Sequence, residues 1–257
     1  MEEKEKKEKL LKEFVSLRQE VTRLKKKETE HRKIQKMLNE NIEKMRKTLR
    51  AMIDTLIFLV EEKDPYTAGH QKKVAKLSCA IAREMGLPEE SINTLELAAT
   101  IHDIGKVNIP FEILNKPDRL TRAQFGMVKT HSQTGYSIAR FMNLPSPVAD
   151  IILQHHERID GSGYPQGLAG DDIMIEARIL GVADVIEAMS SRRAYRPAHS
   201  IDDCLEEIWQ KRNISYDQDA ADICMDLFTK KDFSFTTSEN EVKSSILFCF
   251  EYTPKAF

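Results

Sequence analysis

Stepping alternately by four and three residues from Leu10 lands on Phe14, Leu17, Val21, Leu24, Glu28, His31, Gln35, Leu38, Ile42, Met45, Leu49, Met52 and Leu56. Eleven of these fourteen positions are apolar, and residues 1–62 contain neither Gly nor Pro. A heptad seam of that length predicts one long helix whose stripe must be covered by another helix. A parallel homodimeric coiled coil over residues 1–61 is the expected solution. Glu28, His31 and Gln35 interrupt the seam together and mark a weak, register-setting middle. His31 is therefore read as a seam residue and not as a ligand.

From residue 62 the pattern breaks into short apolar-periodic segments separated by turn signals. Asp64 to Gly69 reads as a turn, followed by a helix from His70 to Met85 with Val74, Leu77, Ala80 and Ile81 on its apolar face. Gly86-Leu87-Pro88 ends it, and Pro88 opens a helix that runs into His102. Residues 107–120 read as a loop. Thr121-Arg122-Ala123-Gln124 has the form of a capping box opening a helix that carries His131. Ser146-Pro147 starts a helix that reaches His155-His156. The glycines of Asp160–Pro165 demand irregular backbone. A helix over Ala177–Ser190 carries Asp184, and Ser200 caps another with Asp203 behind it. No strand is expected before residue 232, whereas Ser244–Tyr252 has the apolar, aromatic character of a strand or a docked tail. The fold class expected is all-α: a multi-helix domain over residues 62–229, preceded by the long helix and followed by an unassigned tail, 230–257.

Charge divides the chain the same way. Residues 1–50 hold 17 Lys/Arg against 10 Asp/Glu, and the remainder holds 22 against 31. An acidic helical domain repels a phosphate substrate unless bound cations reverse the local field. Interleaved Glu in the basic helix argues against a nucleic-acid polymer as partner. The four cysteines, Cys79, Cys204, Cys224 and Cys249, show no CxxC spacing and read as free thiols of a reducing compartment. No apolar run approaches the length of a membrane span, and no signal peptide opens the chain. The expected location is the cytoplasm.

Five of the seven histidines, His70, His102, His131, His155 and His156, are expected at element edges, two of them adjacent and one beside Asp103. With Asp184 they offer five imidazoles and two carboxylates. Such a set, without thiolate, suits iron, manganese or zinc at a site with open positions. Seven ligands exceed the needs of one ion, so two ions sharing a carboxylate is the natural count. Two such ions can hold a hydroxide between them and clamp the attacking and leaving oxygens of a phosphate ester. Lys106, one turn beyond His102, adds a cation for an anionic substrate.

The motifs Asp64–His70 (DPYTAGH), His102–Lys106 (HDIGK) and His155–Pro165 (HHERIDGSGYP), with Val182-Ala183-Asp184 and Arg193-Ala194-Tyr195-Arg196, resemble those of an HD-GYP domain over roughly residues 62–229. HD-GYP domains are a subfamily of the HD metal-dependent phosphohydrolases that degrades the bacterial messenger cyclic di-GMP. The resemblance assigns His70, His102, Asp103 and Asp184 to one divalent metal, iron or manganese. It assigns His131, His155 and His156 to a second, with Asp103 bridging. It matches Lys106, Arg193 and Arg196 to cations that hold substrate phosphates, and Gly163-Tyr164-Pro165 to the loop that names the subfamily. Arg158 and Asp160 fit the motif as braces of that loop.

The function so implied is hydrolysis of cyclic di-GMP, with linear pGpG or, beyond it, GMP as the end product, and with Asp103 and Lys106 at the reacting centre. The alternatives are a cyclic di-GMP receptor that signals through the coil, or a phosphodiesterase for another cyclic dinucleotide such as cyclic GMP-AMP. An upstream sensor protein could act through the coil. Tyr66 stands where some members place a glutamate that helps hold a third metal, so two metals are expected. Phe111 replaces an acidic residue of many relatives, Asp118-Arg119 replaces Gly-Pro, and beyond Asn213 the likeness fades.

Overall fold

The computed structural model describes residues 1–64, 69–192 and 197–235, apart from the side chain of Glu3. The Ser244–Tyr252 run, Cys249, Tyr66, Arg193 and Arg196 lie outside the described residues. Two compact units are present, Met1–Met52 and Ile53–Phe257.

The first unit is helix throughout, part of α1 (Glu2–Lys63). Its apolar seam is exposed: Phe14 and Leu17 are each 65% accessible, and Leu10, Val21, Leu24, Leu38, Ile42, Met45 and Leu49 are exposed as well. No helix is long and apolar enough to cross a membrane among the described residues.

In the second unit the described elements are the last turns of α1, then α2 (His70–Glu84), α3 (Glu89–Ile101), a 3₁₀ segment (Ile104–Asn108), α4 (Phe111–Leu114), α5 (Arg122–Phe141), α6 (Ser146–Gln154), a single 3₁₀ turn (Gly170–Asp172), α7 (Ile175–Ser190), α8 (Ile201–Lys211) and α9 (Gln218–Lys230). The described residues contain no strand, only isolated bridges between Asp160 and Ala169 and between Arg212 and Tyr216. The all-α expectation holds. Residues 107–120 are not a plain loop, because the 3₁₀ segment and α4 occupy part of them, and α9 lies where the likeness fades.

α7 is apolar nearly all round, with Ala177, Ile179, Leu180, Val182, Ala183 and Ile186 buried, which requires a central position. α2, α3, α6, α8 and α9 contribute Leu77, Ile81, Leu95, Ile151, Ile152, Ile208 and Cys224 to the same core. Ile53, Ile57 and Val60 carry the end of α1 into it. Caps fix the starts of the elements. The Thr121 hydroxyl accepts from Gln124 N while Thr121 N donates to the Gln124 side chain, and Ser200 and Asp203 repeat the reciprocal pair. The described cysteines, Cys79, Cys204 and Cys224, are buried free thiols.

Candidate metal centre

Three helix termini and two mid-helix positions, His131 in α5 and Asp184 in α7, converge on one buried volume. His70 is the first residue of α2. α3 stops at Ile101, leaving His102 as its C-cap and Asp103 at φ −89°, ψ 3°, outside the helical region. That break between the two residues lets neighbouring side chains converge, which a continuous helix would prevent. His102 Nε2 lies 3.6 Å from Asp103 Oδ2. α6 ends at Gln154, so His155 and His156 also follow a helix end. His131 departs from the expectation: it sits well inside α5 rather than at an edge, and reaches the site because α5 packs along the 3₁₀ segment.

Asp103 stands at the centre, 4% accessible. Its Oδ1 is 3.7 Å from His131 Nε2, and its Oδ2 is 3.8 Å from His70 Nε2. Asp184 Oδ1 is 3.3 Å from His70 Nε2 and 3.8 Å from His102 Nε2. Donor atoms of His70, His102 and Asp184 lie within 4.8 Å of one another, and so do those of His131, His155 and His156. A third grouping of the same spread, His102, Asp103 and His155, joins the two.

Backbone carbonyls orient the imidazoles. The Nδ1–H groups of His102, His131 and His155 donate to the carbonyls three residues earlier, Ala99, Val128 and Ile152, at 2.7, 2.7 and 2.6 Å. Each bond fixes the tautomer and turns the Nε2 lone pair into the site. His102 Nε2 is fully buried with no hydrogen-bond partner, a costly arrangement for an acceptor that nothing neutralises. Lone pairs without protons, beside paired carboxylates, fit a divalent cation.

Burial pushes the ring of His155 down to about 3, helped by His102 and His131, and burial with His155 holds His156 well below the usual range. Burial lowers His131 too, opposed by Asp103. Neutral rings are the form that binds metal. Burial alone would lower His70, but Asp184 and Glu187 outweigh it and raise the ring to about 9; the field that draws a proton there draws any cation. Burial also opposes ionisation of Asp103 and Asp184, yet Lys106 and the histidines hold Asp103, and His70 and His102 hold Asp184, well below the carboxylate range.

Lys106 Nζ donates to Asp103 Oδ2 at 2.7 Å and to Asp64 Oδ2 at 3.4 Å. The naming loop closes the other side. The Tyr164 ring lies 4.7 Å from that of His156, tilted 31°. Gly161 takes φ +77°, but Gly163 does not need the left-handed region: a Cβ there would sit 2.4 Å from Glu157 Cα and Arg158 N. Asp160 Oδ1 accepts from Ser162 N at 2.9 Å, and Arg158 donates to the carbonyls of His155 and Glu157, so both brace the loop.

Two carboxylates escaped the sequence reading. Glu187, 1% accessible, bonds His70 Nδ1 and accepts from Lys73 Nζ at 3.2 Å and Ser191 Oγ at 2.7 Å. Burial raises it, but His70 brings it down to about 2. Its only signal was the spacing of three from Asp184 on α7. Glu157 is buried and accepts from the backbone N–H groups of Gln166 and Leu168 at 2.7 and 3.0 Å, pinning the loop to the histidine turn.

An all-α domain around a buried cluster of histidines and aspartates defines a class, and the comparisons name it. Residues 54–220 match the family described as "HD domain", and the chain belongs to that family. Among its relatives is a cyclic di-GMP phosphodiesterase response regulator of Xanthomonas campestris pv. campestris, 36% identical over 190 residues, covering 72% of this chain and 48% of the relative. A cyclic di-GMP phosphodiesterase of Thermotoga maritima is 42% identical over 161 residues, 61% of this chain and 43% of that one. A 3′3′-cGAMP-specific phosphodiesterase of Vibrio cholerae is 39% identical over 151 residues, 57% and 32% of the two chains. The chain thus spans about half the length, or less, of these relatives. A solved cyclic GMP-AMP specific phosphodiesterase of V. cholerae shares the fold at TM-score 0.56 and 18% identity, over 74% of this chain and 51% of that one. These relatives agree with the HD-GYP resemblance of the motifs.

Proposed function

We propose that the chain is a metal-dependent phosphodiesterase of cyclic dinucleotides, opening cyclic di-GMP to linear pGpG. The observation that carries this reading is the Asp103 carboxylate, which turns one oxygen toward His131 and the other toward His70 and His102. His70, His102, Asp103 and Asp184 would hold one divalent ion, and His131, His155 and His156 a second, with Asp103 shared; iron or manganese suits this donor set. When bound, the pair supplies Lewis acidity toward the phosphate and an activated water. The chain's own residues do the rest. The carbonyl-anchored imidazoles hold their lone pairs inward without reorganisation. Lys106 places a cation beside the shared carboxylate, where it balances charge developing on a phosphate oxygen. Tyr164 walls the His156 side, and Arg193 and Arg196 grip phosphate oxygens.

The test is anaerobic purification, metal analysis, and chromatography of products from cyclic di-GMP and cyclic GMP-AMP. Two metals per chain and conversion of cyclic di-GMP are expected. Three ions would overturn the count, and a doubly loaded chain that binds cyclic di-GMP without converting it is a receptor. Relatives named for 3′3′-cGAMP favour a second reading, in which cyclic GMP-AMP is the better substrate.

Glu187 orients His70 and deepens the negative field around it. Glu187→Gln keeps an acceptor but removes the charge, and should weaken metal affinity about ten- to a hundredfold, measured by chelator competition. An affinity equal to that of the unsubstituted chain would leave Glu187 with no such role.

The exposed seam of α1 carries the proposal of a parallel homodimer through residues 1–61, within a cytoplasmic signalling protein that an upstream sensor addresses. Leu17→Cys, in a Cys249→Ser background, should give a disulfide-linked dimer, because a seam position meets its own copy only in a parallel pair. A monomer at micromolar concentration, or a dimer that does not cross-link, would refute it.

A further inference from the structure

Outside the ligand set, an exposed aromatic ring and a half-buried lysine stand beside the second histidine triad. Phe125 and Lys129 lie one turn apart near the start of α5, a helix whose first turn is fixed by the Thr121–Gln124 capping box. Phe125 is 46% accessible, and its ring meets Tyr164 edge to face with centroids 6.4 Å apart. The Lys129 ammonium sits 5.1 Å from the Phe125 centroid and 4.8 Å from that of Tyr164. Tyr164 in turn stands 4.7 Å from His156 and 6.5 Å from His131, ring to ring. A single exposed phenylalanine is ordinary on a protein surface. This one continues an aromatic path out of the histidine triad, with a cation resting on it. Among the described residues Lys129 forms no ion pair, so only two weak ring contacts hold its charge.

We propose that Phe125 and Lys129 form a nucleotide subsite beside the His131, His155 and His156 group. The open face of Phe125 stacks a purine base, and Lys129 takes an oxygen of the phosphodiester that is not being cleaved. The proposal rests on the cyclic dinucleotide reading and adds what the ligand set lacks, a contact that senses a base. Every nucleobase has a face that stacks on an aromatic ring, so the subsite favours a nucleotide diester over a simple one without choosing guanine over adenine. The ammonium supplies a point charge that an arriving phosphate can draw away from its ring contacts.

The experiment compares Phe125→Leu, Phe125→Trp and Lys129→Gln with the unsubstituted chain. Exposure of Phe125 makes Phe125→Leu compatible with folding, which circular dichroism and metal content check. Phe125→Leu should raise KM for cyclic di-GMP about tenfold, the order expected for one lost stack, and Phe125→Trp should restore it. Lys129→Gln should raise KM and flatten its dependence on salt. A cyclic dinucleotide carrying 2-aminopurine, mixed with the chain and read before turnover, should lose fluorescence on binding, and Phe125→Leu should abolish that quenching. Phe125→Leu should leave inhibition by dimethyl phosphate unchanged, because that diester has neither a base nor an aromatic ring to stack. Equal effects on both diesters, or full quenching with Phe125→Leu, would overturn the subsite while leaving the phosphodiesterase reading intact. No conversion of any cyclic dinucleotide by the metal-loaded, unsubstituted chain would instead overturn that reading, and the subsite with it.

Discussion

Asp103→Ala should abolish phosphodiester hydrolysis, with a loss beyond about a thousandfold, and should lower the content of both metals together. The carboxylate is buried, faces both histidine groups, and also receives Lys106. Its removal takes a ligand from each proposed ion at once and strips the half-buried Lys106 ammonium of its nearer carboxylate partner, so neighbouring sites cannot share the damage. Metal analysis and product chromatography on the same preparation check the result. If both metals stay at full occupancy and turnover persists, Asp103 is not shared between them. Asp184→Ala provides the contrast, because that carboxylate faces His70 and His102 but not His131 among the ion-pair distances of the site. Loss of one metal with retention of the other is the expected pattern there.

Gly105→Ala should destabilise the domain by about 3 kcal/mol or more, although it adds one methyl group to a surface-connected segment. A Cβ at this position would lie 1.9 Å from the His131 carbonyl oxygen and 2.6 Å from Gly135 N. Both are backbone atoms of α5, so no side-chain rotation relieves the collision. The 3₁₀ segment carrying Lys106 would have to separate from the helix carrying His131. The 3₁₀ segment follows directly on His102 and Asp103, and α5 bears His131, so metal affinity should fall with stability. Chemical denaturation of the metal-free protein reads the first effect, and chelator competition the second. A variant of unchanged stability would show that α5 and the 3₁₀ segment are not in this contact.

Local patterns carried much of this protein. The seam from Leu10 to Leu56 and the absence of Gly and Pro before residue 63 define the long helix, because helix periodicity and backbone freedom are properties of the chain itself. The capping box at Thr121 and the cap at Ser200 with Asp203 behind it were legible for the same reason: cap and partner lie three residues apart. The ligand candidates were visible as residue types, since few histidines occur and two adjacent pairs stood out.

What required the tertiary structure was every relation between elements. His131 lies inside α5, and only the packing of that helix against the 3₁₀ segment turns it toward Asp103. The end of α3 between His102 and Asp103 decides that both side chains serve one site. Glu187 and Glu157 read as ordinary acidic residues until the fold sets one against His70 and the other against the backbone of the Tyr164 loop. Gly105 carries no local mark of its role, which is a point of close contact between backbones. The physical reason is common to all four. Sequence specifies periodicity, caps and chemistry within a few residues, whereas orientation, desolvation and steric exclusion at a site are set by atoms distant in the chain, and those meet only when the core of α2, α3, α6 and α7 is packed.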